Sequence, residues 1–483
     1  VTAERVDDKR SRNADWAILS VLFAVGLVRI YTIIRTLGDR SFRNDEAYTY
    51  SFVTASWSDF HSVIRHLDVG VAAYYVVVRT WSTFAGASES SLRLFSVVFA
   101  IFATVALYYL AHEFYPRRVS ITAALLLLCN AFWFQQAQTA RVYTLAGFLA
   151  VVASIAFIRA VRAASDRRWV AAYLALMVLL AIFQLAIGLT LLTAHILSFY
   201  AVPGRRMPVR SALPLFIALC LIFALALYIV ASVGTTLLHT PVHLTPTVVW
   251  VQIASLLGRK ESVVGLGALA IYGIAISGRA NRSNAITLAI WAIVPIALIV
   301  AMSLFDPATL GSRYMLGAIF PFVILASNGA WQAQRKPVVA VLLLVAMFVE
   351  GYGLREYLKE PRRNLEGEVT AFAPLVRKDD VVLFVPPFLA VRVYMALHNS
   401  QVRLNDGVET IPGPLDKAWQ TVDQQSLEPN WSRLPPLGQR HLWVVTMPNA
   451  DARDNAGCNQ VMADVAPLKP GEATILCIPR ERQ

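Results

Sequence analysis

The chain has 483 residues, 57% of them hydrophobic and only 15% charged, well below the roughly 25% charged fraction of ordinary soluble domains. That balance excludes a soluble globular enzyme and points to a membrane protein. A net charge of +12 would suggest nucleic acid in a soluble chain, but these basic residues fall in short clusters between apolar runs, the pattern of topology and not of a nucleic-acid footprint.

The first residues, VTAERVDDKRSR, carry both signs of charge and no signal-peptide cleavage site, so the first apolar run is expected to remain as a span. Runs able to cross a core of about 30 Å follow at residues 16–34, 92–111, 119–134, 143–158, 170–185, 187–202, 212–232, 263–276, 286–304, 314–330 and 338–352. They predict a mainly α, polytopic membrane protein with roughly eleven transmembrane helices. Basic clusters recur at every second loop: Arg5/Lys9/Arg10/Arg12, Arg117/Arg118, Arg159/Arg162/Arg167/Arg168, Arg205/Arg206/Arg210, Arg279/Arg282 and Arg335/Lys336. Positive charge is retained inside, so the N-terminus is expected in the cytoplasm. Loops 38–91, 135–142, 184–186, 233–262 and 305–313, with everything after Arg355, are then extracytoplasmic. Residues 71–84, VAAYYVVVRTWSTF, are apolar but carry Arg79; counting them as a span would invert every later loop. They are read as a helix at the outer interface, with Arg79 snorkelling.

After Arg355 charges, prolines and asparagines appear, and β-type runs at 381–385, 442–446 and 474–478 alternate with a helical stretch near 388–398. The expected division is a membrane domain over 1–355, with 38–91 as its first outer loop, and a small α/β extracytoplasmic domain over 356–483. Cys129 and Cys220 lie in apolar runs; Cys458 and Cys477 share the tail, where either a disulfide or two free thiols is open.

The most reactive-looking stretch is 41–59, SFRNDEAYTYSFVTASWSD, which sets Asp45 and Glu46 directly after the first span. Acids beside a bilayer call for a reason: one is a general base facing a substrate from the lipid, the other a solvated loop. Further polar residues expected at the outer face are His61, Arg93, Arg141, Tyr143, His239, His243, Arg259, Lys260, Glu261, Arg313 and Tyr314. An arginine can clamp a phosphate by paired hydrogen bonds, with a tyrosine beside it as a stacking partner or donor, or it can simply anchor a helix end. Arg29, inside the first span, has no assignment. No metal-ligand spacing or Walker loop is present; His195 reads as a hydrogen-bonded core residue, and Gly265 with Gly267 as helix packing.

The order of a basic N-terminus, one span, DEAYTY (45–50), an interfacial helix and YYVVVRTWSTFAGASESSLRLFS (74–96) resembles the GT-C superfamily of integral-membrane glycosyltransferases, in its bacterial branch near protein O-mannosyltransferases and aminoarabinose transferases. ARVYTL (140–145), SRYMLGAIFP (312–321) and, more weakly, PRRNLEGEVTAF with DDVVLFV in the tail add to the likeness. The resemblance implies a sugar donor on a polyprenyl phosphate, an active site at the outer face of a bacterial inner membrane, and an acid of the first outer loop as catalytic base. By position Asp45 is that acid and Glu46 its neighbour, while Arg141 and Arg313 approach the lipid phosphate, with Tyr143, Tyr314 and Arg93 as further donor-phosphate candidates and His61, Arg259 and Lys260 as others. Two features depart from relatives: VGVAAYY (69–75) replaces their usual His-Pro-Pro-Leu, and Thr139 stands where they often carry an acid.

The expected activity is inverting transfer of a sugar to an acceptor hydroxyl on a lipid, glycan or protein. Membrane lipids are expected partners, nucleic acid is not, and no metal is assigned, although the acid pair leaves room for a divalent ion without requiring one. The rivals are a transporter or flippase of a lipid-linked substrate and a degenerate, non-catalytic scaffold.

Overall fold

The structure, a computed structural model, describes residues 2–38, 42, 44–58, 60–61, 71–162, 166–202, 208–233, 244–258, 260–277, 279–305, 307–332, 336–359, 365–385, most of 390–411, 441–446 and 472–477. Its helices are, in order, α1 (Thr2–Arg35), α2 (Asn44–Thr54), α3 (Ala72–Ala85), α4 (Glu89–His112), α5 (Arg117–Cys129), α6 (Ala131–Ala137), α7 (Tyr143–Arg162) and α8 (Arg167–Phe183). There follow α9 (Leu185–Ala201), α10 (Val209–Val233), α11 (Pro246–Leu256), α12 (Lys260–Ala275), α13 (Arg279–Ser303), α14 (Ile319–Trp331), α15 (Lys336–Lys359) and α16 (Leu365–Phe372). Strands β1 (Val381–Val385), β2 (Glu409–Ile411), β3 (His441–Thr446) and β4 (Glu472–Cys477) complete the described elements. The contacts divide the chain into two compact units. One holds Val1–Leu37, Val69–Tyr74 and Arg93–Glu360; the other holds Gly38–Asp68, Tyr75–Leu92 and Pro361–Gln483, so most of the stretch 38–91 groups with the tail.

The first unit is a mainly α, multi-pass membrane domain, and every one of the eleven apolar runs lies on helix. Among the described residues, five segments are long and apolar enough to cross a membrane alone: Asp15–Arg35, Glu89–His112, Tyr143–Arg162, Asn281–Ser303 and Pro337–Arg355. The run at 119–134, expected as one span, is instead two helices, α5 and α6, bent by 65°. The reason is Asn130: its backbone is extended (φ −62°, ψ 129°) and its side chain accepts from Trp133 N at 2.9 Å, capping α6 in place of continuing α5. The loop at 233–262 contains a further helix, α11, started by Thr245 as cap and Pro246 in the first turn.

The closest helix crossing is α12 against α14. A Cβ on Gly273 would lie 2.6 Å from the Leu325 carbonyl, and one on Gly329 would run into the Leu269 carbonyl. Gly265 and Gly267, expected to pack helices, have open space at that position; they lie on another face of α12 from the crossing. Where α7, α8, α9 and α13 meet, His195 is fully buried: Nδ1 pairs with the Tyr173 hydroxyl at 3.0 Å and Nε2 with Ser154 Oγ at 3.2 Å. Phe157 stacks on its ring at 4.3 Å, and Trp291, which donates to Ser198 Oγ at 2.9 Å, meets it edge-on. His195 is thus the hydrogen-bonded core residue anticipated.

The second unit contains a four-stranded parallel sheet in the order β2-β1-β3-β4, with Val381 opposite both Glu409 and Leu442 and His441 opposite Glu472. Parallel strands are covered on both faces and read as continuous apolar runs, as VVLFV in β1 does; Val381 to Phe384 are all buried. Asp380, at the entry to β1, accepts from Arg377 N at 2.7 Å and Trp443 Nε1 at 2.9 Å. Arg79 of α3 does not merely snorkel. It donates to the Phe52 carbonyl at 3.1 Å and lies over the rings of Trp57 at 4.2 Å and Phe60 at 4.8 Å, tying α3 to α2 and the turn after it. Cys458 and the Cys477 side chain, proposed as a disulfide, lie outside the described residues.

Candidate functional site

The acidic candidates belong to the second unit. Asp45 and Glu46 stand in the first turn of α2, where the helix dipole favours a carboxylate. Glu46 is buried; the Asp45 side chain lies outside the described residues. Aromatic packing fixes the helix that carries them: Phe42 lies 6.1 Å from Tyr50, Tyr48 stacks on Phe52, and Phe52 meets Tyr75 edge-on at 4.9 Å. Glu89, the acid of the GASESSLR stretch, accepts from Phe42 N at 3.0 Å and so holds the backbone just ahead of α2. Burial pushes the Tyr50 hydroxyl up to about 12, with Tyr394 adding to the shift. His61 is exposed beside Phe60.

The basic candidates belong to the first unit. Arg313 is exposed in the turns between α13 and α14, and its guanidinium lies 5.9 Å from the Tyr143 ring centre and 5.2 Å from that of Tyr314. Two motifs about 170 residues apart are thereby brought together, ARVYTL at the start of α7 and SRYMLG at the approach to α14. Gln252 of α11 supports the second by accepting from Ser312 N at 2.9 Å. Arg141, half-buried, sits in the turn before Tyr143, and Ser96 of α4 holds that turn by donating to the Thr139 carbonyl at 2.7 Å. Gln138 fastens its start, donating to the Ile33 carbonyl at 3.3 Å and to Thr36 Oγ1. An exposed guanidinium framed by two phenol rings suits an anion carried on an apolar chain.

Arg93 is only 3% exposed and its Nη1 donates to the Leu37 carbonyl at 2.8 Å, just past the end of α1, where an unpaired helix carbonyl welcomes a cation. That bond accounts for its burial. Arg259 and the side chain of Lys260 lie outside the described residues, as do His239 and His243. Among the described residues no group of three or more His, Cys, Asp or Glu side chains is arranged to hold a metal ion.

No protein-family model matches the sequence, and no curated protein matches it significantly. The fold does find partners. ArnT from Cupriavidus metallidurans in the apo state, 14% identical, aligns with a TM-score of 0.53 over 86% of this chain and 89% of that one. The chain has the GT-C fold. The Archaeoglobus fulgidus oligosaccharyltransferase in the apo form gives a TM-score of 0.51 at 12% identity over 88% of this chain, and the same enzyme tethered with an acceptor peptide gives 0.50 at 12% identity over 83%. The chain covers only 62% and 64% of those two structures, a little under two thirds of the oligosaccharyltransferase. ArnT and the oligosaccharyltransferase are GT-C superfamily glycosyltransferases. Within this GT-C chain the sequence motifs picked out the residues that cluster, but not those that hold them: Ser96, Gln138 and Gln252 are ordinary polar residues, and only the fold brings them to the two turns.

Proposed function

We propose that the chain is an inverting glycosyltransferase that moves a sugar from a polyprenyl-phosphate donor to an acceptor hydroxyl at the outer face of a bacterial inner membrane. The observation that carries this reading is the meeting of Arg313 with Tyr143 and Tyr314 in a chain of GT-C fold. In the proposed reaction Asp45 takes the proton of the acceptor hydroxyl as its oxygen attacks the anomeric carbon. The bond from that carbon to the phosphate oxygen breaks on the opposite face, which inverts the configuration. Arg313 and Arg141 neutralise the charge gathering on the departing polyprenyl phosphate, the electrostatic contribution that usually dominates such catalysis. Glu46 neighbours the base, and Tyr143 and Tyr314 flank the phosphate. The reading requires Asp45 and Arg313 to serve one sugar, and the paired variants test that requirement.

Asp45→Asn keeps the shape of the side chain and loses its basicity. It is expected to slow transfer by ~10²- to 10⁴-fold with donor binding intact. Arg313→Ala should weaken donor binding and lower kcat/KM together, since its charge acts in both states. Transfer at the unaltered rate by Asp45→Asn would remove Asp45 as the base, and absence of transfer by the unaltered protein would promote the scaffold. The orientation is tested separately: single cysteines at Ser58 and Ser426 should react with an impermeant thiol reagent in spheroplasts, and one at Ser165 should not.

One observation favours the transporter reading instead. The run at 119–134 is broken and polar residues line the break, as in the interrupted helices of transporters. Here, however, the amide freed at the break is taken up by the protein's own Glu350 and not left for a substrate. Flux of a lipid-linked sugar across vesicles without transfer would revive that reading.

A further inference from the structure

The break between α5 and α6 is also where the membrane unit keeps Glu350, its only buried acid among the described residues. A carboxylate inside a span is costly unless it is paired and hydrogen-bonded. Glu350 Oε2 accepts from Ala131 N at 2.8 Å, and Oε1 lies 3.5 Å from Asn130 Nδ2, so the carboxylate grips the first residues of α6. Gly258, at φ +102°, lies so close beneath it that a Cβ would collide with both oxygens. Arg29 of α1, 8% exposed, acts electrostatically on Glu350 and on Cys129, the last residue of α5, and lies 3.3 Å from where a Gly351 Cβ would stand. The first residue of α6 is thus held by Glu350, with a guanidinium near the last residue of α5.

At its other end α6 runs through Gln138, which bonds to α1, into the turn that carries Arg141 and leads into Tyr143, a turn that Ser96 of α4 holds at the Thr139 carbonyl. A helix of seven residues is a strut of about 10 Å, so a swing of ten degrees at the break moves its far end by roughly 2 Å. Misplacing a binding group by ~1 Å can cost about a hundredfold.

We propose that Glu350 is a positioning residue for the donor-phosphate end of the site: by fixing the direction in which α6 leaves the break, it sets where Arg141 and Tyr143 stand. The proposal rests on the assignment of those two residues to the donor. Glu350 touches no reacting atom.

The test uses the full chain in detergent or nanodiscs and the variants Glu350→Ala and Glu350→Gln. It reads hydrogen exchange along 131–142, the dissociation constant for undecaprenyl phosphate, and the KM values for donor and acceptor. For Glu350→Ala, exchange should quicken over 131–142 and not over α14. Its donor KM and lipid dissociation constant should rise about ten- to a hundredfold, with kcat at saturating donor and acceptor KM within about twofold. Glu350→Gln keeps an oxygen for Ala131 N and should fall between, near threefold in donor KM. Unchanged exchange, an unchanged donor KM, or an equal loss in kcat and both KM values would overturn the proposal, the last being the mark of a merely structural acid. Should Glu350→Ala fail to fold, an unaltered donor KM in Glu350→Gln overturns it. If the unaltered protein binds no undecaprenyl phosphate, the donor reading of Arg141 and Tyr143 is what fails. The exchange result then decides on Glu350 alone, with a change confined to 131–142 upholding it.

Discussion

Two polar clusters are buried in the same membrane unit, and they are built on opposite principles. Around His195 every group is neutral: imidazole, phenol, hydroxyl and indole, from four intact helices, each bonded to another and walled by Phe157 and Trp291. Around Glu350 the groups are a carboxylate and a guanidinium, and one of the helices they hold is broken. The neutral cluster joins helices that would be helices anyway. The charged one sustains a shape that the helix itself resists, since a break in an apolar medium leaves backbone donors that only a buried acceptor can satisfy. Burying charge therefore marks the place where the backbone departs from its default.

The comparison breaks if the two clusters respond alike to losing a partner. Arg29→Met removes the guanidinium that acts electrostatically on Glu350 and should destabilise the protein, by at most the roughly 3–5 kcal/mol that breaking a buried ion pair costs. Adding Glu350→Gln should restore most of that loss, because the amide keeps an acceptor for Ala131 N and needs no counterion. Thermal or denaturant unfolding in detergent reads both, and a double variant as unstable as the single would mean that charge balance is not what the pair provides. Gly329→Ala is the control in which no polar group takes part. Its methyl has no room against the Leu269 carbonyl, and the resulting separation of α12 from α14 should cost up to about 3 kcal/mol; an unshifted melting temperature would show that crossing to be slack. His195→Leu orphans the Tyr173 hydroxyl, while Ser154 keeps its bond to the Ala150 carbonyl, and should cost less than Arg29→Met, about 1–3 kcal/mol. A larger loss there would reverse the ranking.

The smallest effect lies in the second unit. Tyr50 is buried in the second unit, and burial followed by the influence of Tyr394 pushes its hydroxyl up to about 12, against about 10 for an unfolded tyrosine. The group binds its proton more tightly when folded. Its contribution to stability is complete below about pH 10 and is lost as the pH rises from about 10 towards 12. Tyr50→Phe should flatten that alkaline decline in the second unit's unfolding, and an unchanged slope would show that another group causes it.

Much of this architecture was legible in the sequence because membrane helices and parallel strands write themselves as uninterrupted apolar runs. All eleven runs fall on helix, and β1 and β3 lie where VVLFV and LWVVT predicted them. The break at Asn130 was not legible. Asparagine is tolerated within a run, and AALLLLCNAFWF stays apolar throughout, so its decisive partner, Glu350, lies 220 residues away. Gly265 and Gly267 misled for a related reason: a glycine shows that a close approach is permitted, not which face makes it, and the crossing fell to Gly273 and Gly329. Arg29 was unexplained until the acid acting on it was located. At the candidate site the pairing of Tyr143 with Arg313 was foreshadowed by two short motifs. Arg93 came from the same likeness, and the fold ties it to the Leu37 carbonyl.

The parallel sheet has a consequence for the life of the chain before it folds. β1 pairs with β2 and β3, whose residues are synthesised well after it, so a five-residue run of valine, leucine and phenylalanine must wait without neighbours. Such a segment, uncharged and strongly β-forming, is a seed for aggregation. The sequence brackets it with Arg377, Lys378, Asp379 and Asp380 on one side and Pro386 and Pro387 on the other. Charges and prolines in those positions act as gatekeepers, repelling like segments and refusing to extend a strand. Asp380 is later reused to anchor Arg377 and Trp443, so the same residues that keep nascent chains apart become part of the finished domain.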